Sequence, residues 1–234
     1  MIDIIKNSSY GLVITLVVYI FAHTLHHKYK KYSPHPIIIT ELLLISILLY
    51  FKIDYQGYMS SGANIISFFL GPATIVLAIP LFRQWELLKS NALPIIIGVL
   101  IGSITGISSI FFLSKLFGLD TIINLSLLAK SVTTPIAMDI TELVGGITSI
   151  TILGVIFAGT FGAIFGPKIL KIFGVKNEIA KGIAMGTASH GLGTARAIEE
   201  GEIQGAMSGL SVGLTGLATA ILIPLMIQVL IVWM

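Results

Sequence analysis

Five stretches of this chain contain no charged residue: Asn7 to His27, Tyr55 to Phe82, Ser90 to Ser114, Leu143 to Pro167 and Ile203 to Met234. Each exceeds the roughly 20 residues that a helix needs to cross a bilayer. Only 11% of residues are charged and 55% are hydrophobic, whereas soluble domains carry about 25% charge. The reading is an all-α polytopic membrane protein. The first apolar segment lacks a small-residue cleavage pattern and has only Lys6 before it, so it is read as a retained span.

Six full spans are expected, near 9–25, 36–51, 63–82, 92–114, 143–166 and 207–231. Two further segments, 121–140 and 182–200, have helical length but are broken by polar and helix-breaking residues. Residues 1–62 read as N-terminal scaffold spans and 63–234 as a core. Lysine and arginine concentrate on the cytoplasmic side of short loops, so the loop after span one (Lys28, Lys30, Lys31), Arg83, Lys89 and the cluster Lys168, Lys171, Lys176, Lys181 are all placed inside. That placement makes 121–140 a re-entrant hairpin. A weak repeat agrees: units near 121–167 and 182–228 each run polar break, acidic stretch, glycine, span, proline. With one crossing per unit the second copy is inverted, an architecture found in many secondary transporters.

The breaks hold the candidate chemistry. Irregular backbone at membrane depth survives only when buried in protein or lining a wet cavity, and amides at half-helix N-termini attract anions. Lys130, Ser131, Thr133, Thr134 and Pro135 form one break; Ser189, His190, Gly191, Gly193 and Thr194 form the other. Together they read as a pocket for a small anion. Lys130 and Arg196 are the cations, with reaching an interface along flexible stems as their plainer role. His190, Asp139 and Glu142 are candidate proton carriers, since ionisable groups in membrane segments are functional hypotheses by default. The plain alternatives are a structural histidine at 190, a solvated loop for Glu199, Glu200 and Glu202, and loop positions for His26, His27 and His35.

Small residues recur every four positions, on one helix face each: Gly98, Gly102 and Gly106; Gly154, Ala158, Gly162 and Gly166; Gly201, Gly205, Gly209 and Gly213. Such faces let backbones approach, within one subunit or between subunits of a homo-oligomer. There is no phosphate-binding loop, His-Glu-x-x-His motif, nucleophile elbow or cysteine. No enzyme, cofactor or metal is expected, and the net charge of +3 calls for no nucleic-acid partner.

The stretches Lys130-Ser-Val-Thr-Thr-Pro-Ile-Ala-Met-Asp139, Glu142-Leu-Val-Gly-Gly-Ile147 and Ala188-Ser-His-Gly-Leu-Gly-Thr-Ala-Arg-Ala-Ile-Glu-Glu200 resemble the LrgB/CidB family, as do Gly205 to Leu210 and Leu70 to Pro80. The likeness covers roughly 55–230 and looks closer to the CidB branch. It implies a bacterial cell-membrane protein, holin-like or antiholin-like in controlling murein hydrolase activity, with a small LrgA/CidA-type membrane partner. Other members of the family are similar to carriers of small carboxylates: pyruvate in bacteria, glycolate and glycerate in the plastid envelope. Two functions are therefore expected to compete: a monocarboxylate carrier or facilitator, possible proton coupling included, and an oligomeric pore that regulates autolysis. Two matched polar breaks favour the first, because a simple hole-former has little use for them.

Overall fold

The structure, a computed structural model, describes residues 9–29, 36–69 and 78–230. They are all-helical, with no strand among them. The chain divides into two compact units, Met1–Val76 and Leu77–Met234.

In the first unit α1 (Tyr10–Lys28) packs on α2 (Pro36–Tyr50). His26 and His27, expected in the loop, form the last turn of α1. Beyond α2 come α3 (Tyr55–Tyr58), a π turn (Met59–Ala63) and α4 (Asn64–Phe68). Gly11 lets the chain at Tyr58 and Ser61 lie directly on α1, where any Cβ would collide. The Thr15 and Tyr58 hydroxyls meet there at 2.6 Å.

The second unit contains α5 (Ala78–Arg83), α6 (Trp85–Ser90), α7 (Ala92–Leu116), α8 (Thr121–Leu127), α9 (Thr134–Leu143), α10 (Thr148–Ile172), α11 (Glu178–Glu200) and α12 (Glu202–Leu230). Among the described residues four helices (α1, α7, α10 and α12) are long and apolar enough to cross a membrane, and α2 with Tyr55–Ile66 makes a fifth candidate bent by 113°. The six full spans of the sequence reading are thus not all found. The second is 15 residues long and stops where Lys52 takes a φ of +52°. The third, 63–82, lies partly outside the described residues, as do His35 and most of Leu70 to Pro80.

Four helices end alike. After α7, α9 and α10 the amides of Leu119, Gly146 and Val175 bond the carbonyls of Ser114, Thr141 and Leu170 at 2.9 Å, and after α2 Ile53 bonds Leu48 at 2.9 Å. This six-to-one closure needs a left-handed residue just past the helix. Gly118, Gly145 and Gly174 supply it with φ of +66°, +79° and +70°, and Lys52 takes the equivalent place in α2.

Helices α8 and α9 make a hairpin around a break at Leu128–Thr133. Pro135 sits in the first turn of α9, where its missing amide proton has no intrahelical role. A knot of fully buried hydroxyls closes the hairpin's base. Ser126 Oγ donates to the Ile122 carbonyl at 2.6 Å and accepts from the Ile147 amide at 2.7 Å. Thr151 Oγ1 donates to the Ser126 carbonyl at 2.8 Å and lies 2.9 Å from the Thr141 hydroxyl. So the end of α9 and the start of α10 return to the end of α8.

Helix α11 is a second hairpin. His190 interrupts it with φ +41° and ψ −134°, and the chain folds back there. As a result a Cβ on Gly193 would lie 2.5 Å from the Met185 carbonyl oxygen, eight residues earlier. Glu178 at the hairpin's start accepts a hydrogen bond from Gln204 just past its end. The first limb runs antiparallel to α10, with Met185 over Gly166, Ser189 over Gly162 and His190 over Gly159. It runs parallel to α12, where Gly182 and Gly186 face the backbone of Gln204 and Ser208. It also runs parallel to α7, with Ile183 on Gly98 and Thr187 on Gly102.

The hairpins therefore approach α10 from opposite ends, and their tips meet beside its Gly154–Gly159 segment. Each has its own apolar cluster. Ile107, Phe111, Leu128, Val132, Ala137, Val155 and Ile223 hold the first, and Leu88, Ile95, Val99, Ile183 and Met207 the second. Helix association in lipid rests on close packing rather than on hydrophobic drive, which explains why glycines line these contacts.

Two predictions follow from the hydroxyl knot and the glycine face. Thr151→Val leaves the buried Ser126 carbonyl without its hydroxyl donor, so stability in detergent should fall by about 1–3 kcal/mol; an unchanged melting midpoint contradicts the knot. Gly162→Ala places a methyl on Ser189 Oγ and should lower the melting midpoint, whereas Gly213→Ala, which meets nothing within 4 Å, should leave it equal or higher.

Candidate functional site

The two tips are pinned to adjacent residues of α10. The Lys130 stem lies against Gly154, a Cβ there falling 3.5 Å from its own Cβ. His190 Nε2 lies 3.0 Å from the Val155 carbonyl oxygen. A carbonyl can only accept, so Nε2 carries the proton in this arrangement. Thr194 Oγ1 donates to the His190 carbonyl at 3.0 Å and meets the Ser208 hydroxyl at 2.8 Å. These bonds hold a backbone conformation that favours glycine.

Two cavities flank the first limb of α11. The larger, of about 920 Å3, runs between α7 and that limb from Asn91 and Asn177 to Thr105, Lys130 and Ser131. It follows α7 for roughly 20 Å at 1.5 Å per residue. The smaller, of about 340 Å3, lies between α10 and the same limb and includes Lys130, Gly162, Ala188 and Ser189. Among the described residues Lys130 is the only charged one lining either cavity. Its ammonium donates to Ser131 Oγ at 3.0 Å and forms no ion pair among the described residues. A cation at the end of a mostly apolar cavity, with no carboxylate among the described residues that line it, is equipped to take up a single negative charge.

The structure brings some expected residues to this place and not others. Lys130 and Ser131 line the larger cavity and Ser189 the smaller. Thr133 and Thr134 are half-buried where α9 begins, and Pro135 is exposed beside them. His190, Gly193 and Thr194 are buried in the fold-back, and Gly191 is exposed there with open space around its Cα. Asp139 and Glu142 stand on the exposed side of α9, away from both cavities. Arg196 is spent on its own helix, paired with Glu199 at 2.6 Å and also with Glu200.

All six glycines expected at helix contacts meet residues of this same chain. Gly98 and Gly102 face α11; Gly154 faces Leu127 and Lys130; Gly162 faces Ser189; Gly205 faces Ile198; and Gly209 faces Thr194. Sequence reasoning missed Asn91, Thr105, Asn177 and Thr187 as cavity lining. The spacing of Gly98, Gly102 and Gly106 was the available signal, because that glycine face is the cavity's wall.

Comparison with known proteins places these features in a family. The model of the LrgB-like family matches residues 15–229. The uncharacterized protein YxaC of Bacillus subtilis is 37% identical over 216 residues, covering 92% of this chain and 94% of its own. The antiholin-like protein LrgB of Bacillus cereus strain B4264 is 39% identical over 218 residues, covering 92% and 94%. YwbG of Bacillus subtilis, also uncharacterized, is 34% identical over 218 residues. Relatives named LrgB are thus among the proteins this chain is similar to. No solved structure matches the chain. With its apolar helices and a family match over nearly its whole length, the chain is a membrane protein of the LrgB-like family.

Proposed function

We propose that this protein is a carrier of small monocarboxylates in the bacterial cell membrane, and that Lys130 is the cation that receives the carboxylate. The observation that carries the reading is the larger cavity, which ends on one unpaired ammonium where two broken helices meet. In this reading both hairpins are re-entrant, entering from opposite faces, and α7, α10 and α12 cross. The units hairpin plus α10 and hairpin plus α12 then form an inverted pair around the site, the geometry of alternating access. Ser131 adds a hydroxyl beside the cation, and α9 begins in the first break with its positive dipole end. Ser189 serves the smaller cavity. The lysine-rich end of the unit faces the cytoplasm by the loop-charge bias, so the larger cavity opens inward.

The antiholin-like names of relatives favour a second reading, in which the chain takes the part the family resemblance implies, control of murein hydrolases with a small LrgA/CidA-type partner. The two make opposite forecasts for leakage. A carrier passes one solute class and retains a trapped dye; an oligomeric pore releases both.

Proteoliposomes should show saturable uptake of labelled pyruvate or glycolate with the dye retained. Lys130→Gln should reduce uptake at least tenfold, as expected when a desolvated charge partner worth at least about 1.4 kcal/mol is lost, at unchanged protein level. Dye release by the wild type, or full uptake by Lys130→Gln, contradicts the carrier and its site respectively. In the same vesicles an inward-directed proton gradient should drive accumulation if His190 links proton movement to the fold-back, and His190→Gln should then uncouple accumulation from the gradient. Accumulation that still follows the gradient in His190→Gln assigns coupling elsewhere.

A further inference from the structure

A third cavity, of about 400 Å3, lies where α10 ends and both limbs of α11 come together, away from Lys130. Its floor is apolar, made by Pro167, Leu170, Val175, Met185 and Ala197, and its rim carries Lys171, Lys176 and Lys181. One rim carboxylate is present, Glu200, and Arg196 already holds it. Lys181 is neutralised by Glu178 at 2.8 Å. Lys171 and Lys176 have no carboxylate partner among the described residues. Both stand exposed beside the left-handed turn at Gly174, which carries the chain from the last turn of α10 to the Asn177 cap of α11.

We infer that this cavity binds the headgroup of an anionic phospholipid, with the phosphodiester between Lys171 and Lys176 and the glycerol and upper acyl carbons on the apolar floor. The loop-charge bias explains lysines at a membrane boundary, but it does not call for an apolar-floored recess beneath them. A free inorganic anion would use the two ammonium groups and leave the floor in water. A phosphodiester that continues into hydrocarbon covers both parts. Basic recesses between membrane helices on the cytoplasmic side suit anionic lipid headgroups in this way. The site lies where the hairpin and α10 converge: Met185 of its floor packs on Gly166, and the buried Gln204 that also lines it bonds Glu178. An occupied recess therefore brackets the base of the second hairpin. The inference stands apart from any transport activity.

The test uses the full chain in detergent, titrated with phosphatidylglycerol or phosphatidylcholine and read by native mass spectrometry and melting midpoint. Wild type should retain phosphatidylglycerol in preference to phosphatidylcholine and melt higher with it. Lys171→Gln with Lys176→Gln should lose retention on the order of tenfold and lose the shift, while melting like wild type in phosphatidylcholine. Lys168→Gln, the same charge change on an exposed residue outside the cavity, should behave as wild type. Equal retention of both lipids by the wild type, unaltered retention by the double variant, or equal losses from Lys168→Gln would each overturn the inference. So would the same stabilisation by millimolar inorganic phosphate, which would assign the rim to a free anion. If the double variant melts lower in phosphatidylcholine, each single substitution replaces it, with a partial loss of retention expected and none overturning the site.

Discussion

Backbone groups left unpaired away from water destabilise any segment that carries them, and both interruptions of this fold depend on α10 to meet that constraint. The hydroxyl of Thr151 and the amide of Ile147 close the first hairpin's base on Ser126, and the Val155 carbonyl takes the His190 imidazole at the tip of the second. The glycines at 154, 159, 162 and 166 make this possible, because each supports a side chain from a hairpin where a Cβ would intrude. Without that face neither hairpin could come near enough to be satisfied. The cavities on either side of the first limb of α11 follow from the same contact, since the limb stands on glycine stripes of both α7 and α10.

Lys130 acquires its character from this arrangement together with its neighbour Ser131. Its stem rests on Gly154 and its ammonium turns to Ser131. Every carboxylate near the hairpins is engaged elsewhere or exposed outside the cavities: Glu199 and Glu200 by Arg196, Glu178 by Lys181 and Gln204. A single positive charge in a mostly apolar recess selects by charge and by little else. That fits a class of small anions better than one particular solute.

Much of this was legible in the residues. Charge-free runs located α1, α7, α10 and α12, and polar clusters located both breaks, at Leu128–Thr133 and at His190. Spacing of four exposed the glycine faces, although spacing alone did not say which helix each would meet. The pairing of Arg196 with Glu199 and Glu200 was also readable, since three and four residues apart on a helix are neighbours; assigning that arginine to the pocket overlooked it. The helix ends at Phe117-Gly118-Leu119, Val144-Gly145-Gly146 and Phe173-Gly174-Val175 repeat one pattern that local sequence carries. What stayed hidden is tertiary. Nothing local brings Ser126, Thr141 and Thr151 into one knot, and nothing places a histidine rather than Gly191 at the positive φ. The bend after α2 arises where Lys52 takes the left-handed turn that glycine takes in three other helices.

The central claim is that two hairpins enter from opposite faces and that the cavity at Lys130 opens on the lysine-rich side. The chain contains no cysteine, so a single introduced thiol reports its own exposure without background. The measurement is labelling of Ser131→Cys and Ala188→Cys by a membrane-impermeant maleimide in right-side-out and inverted vesicles, with Gly118→Cys marking one face and Lys176→Cys the other. The account predicts that positions 131 and 188 react from the face that labels 176 and are protected by a bound monocarboxylate. Labelling of position 131 from the face that labels 118, or from both faces alike, would contradict it.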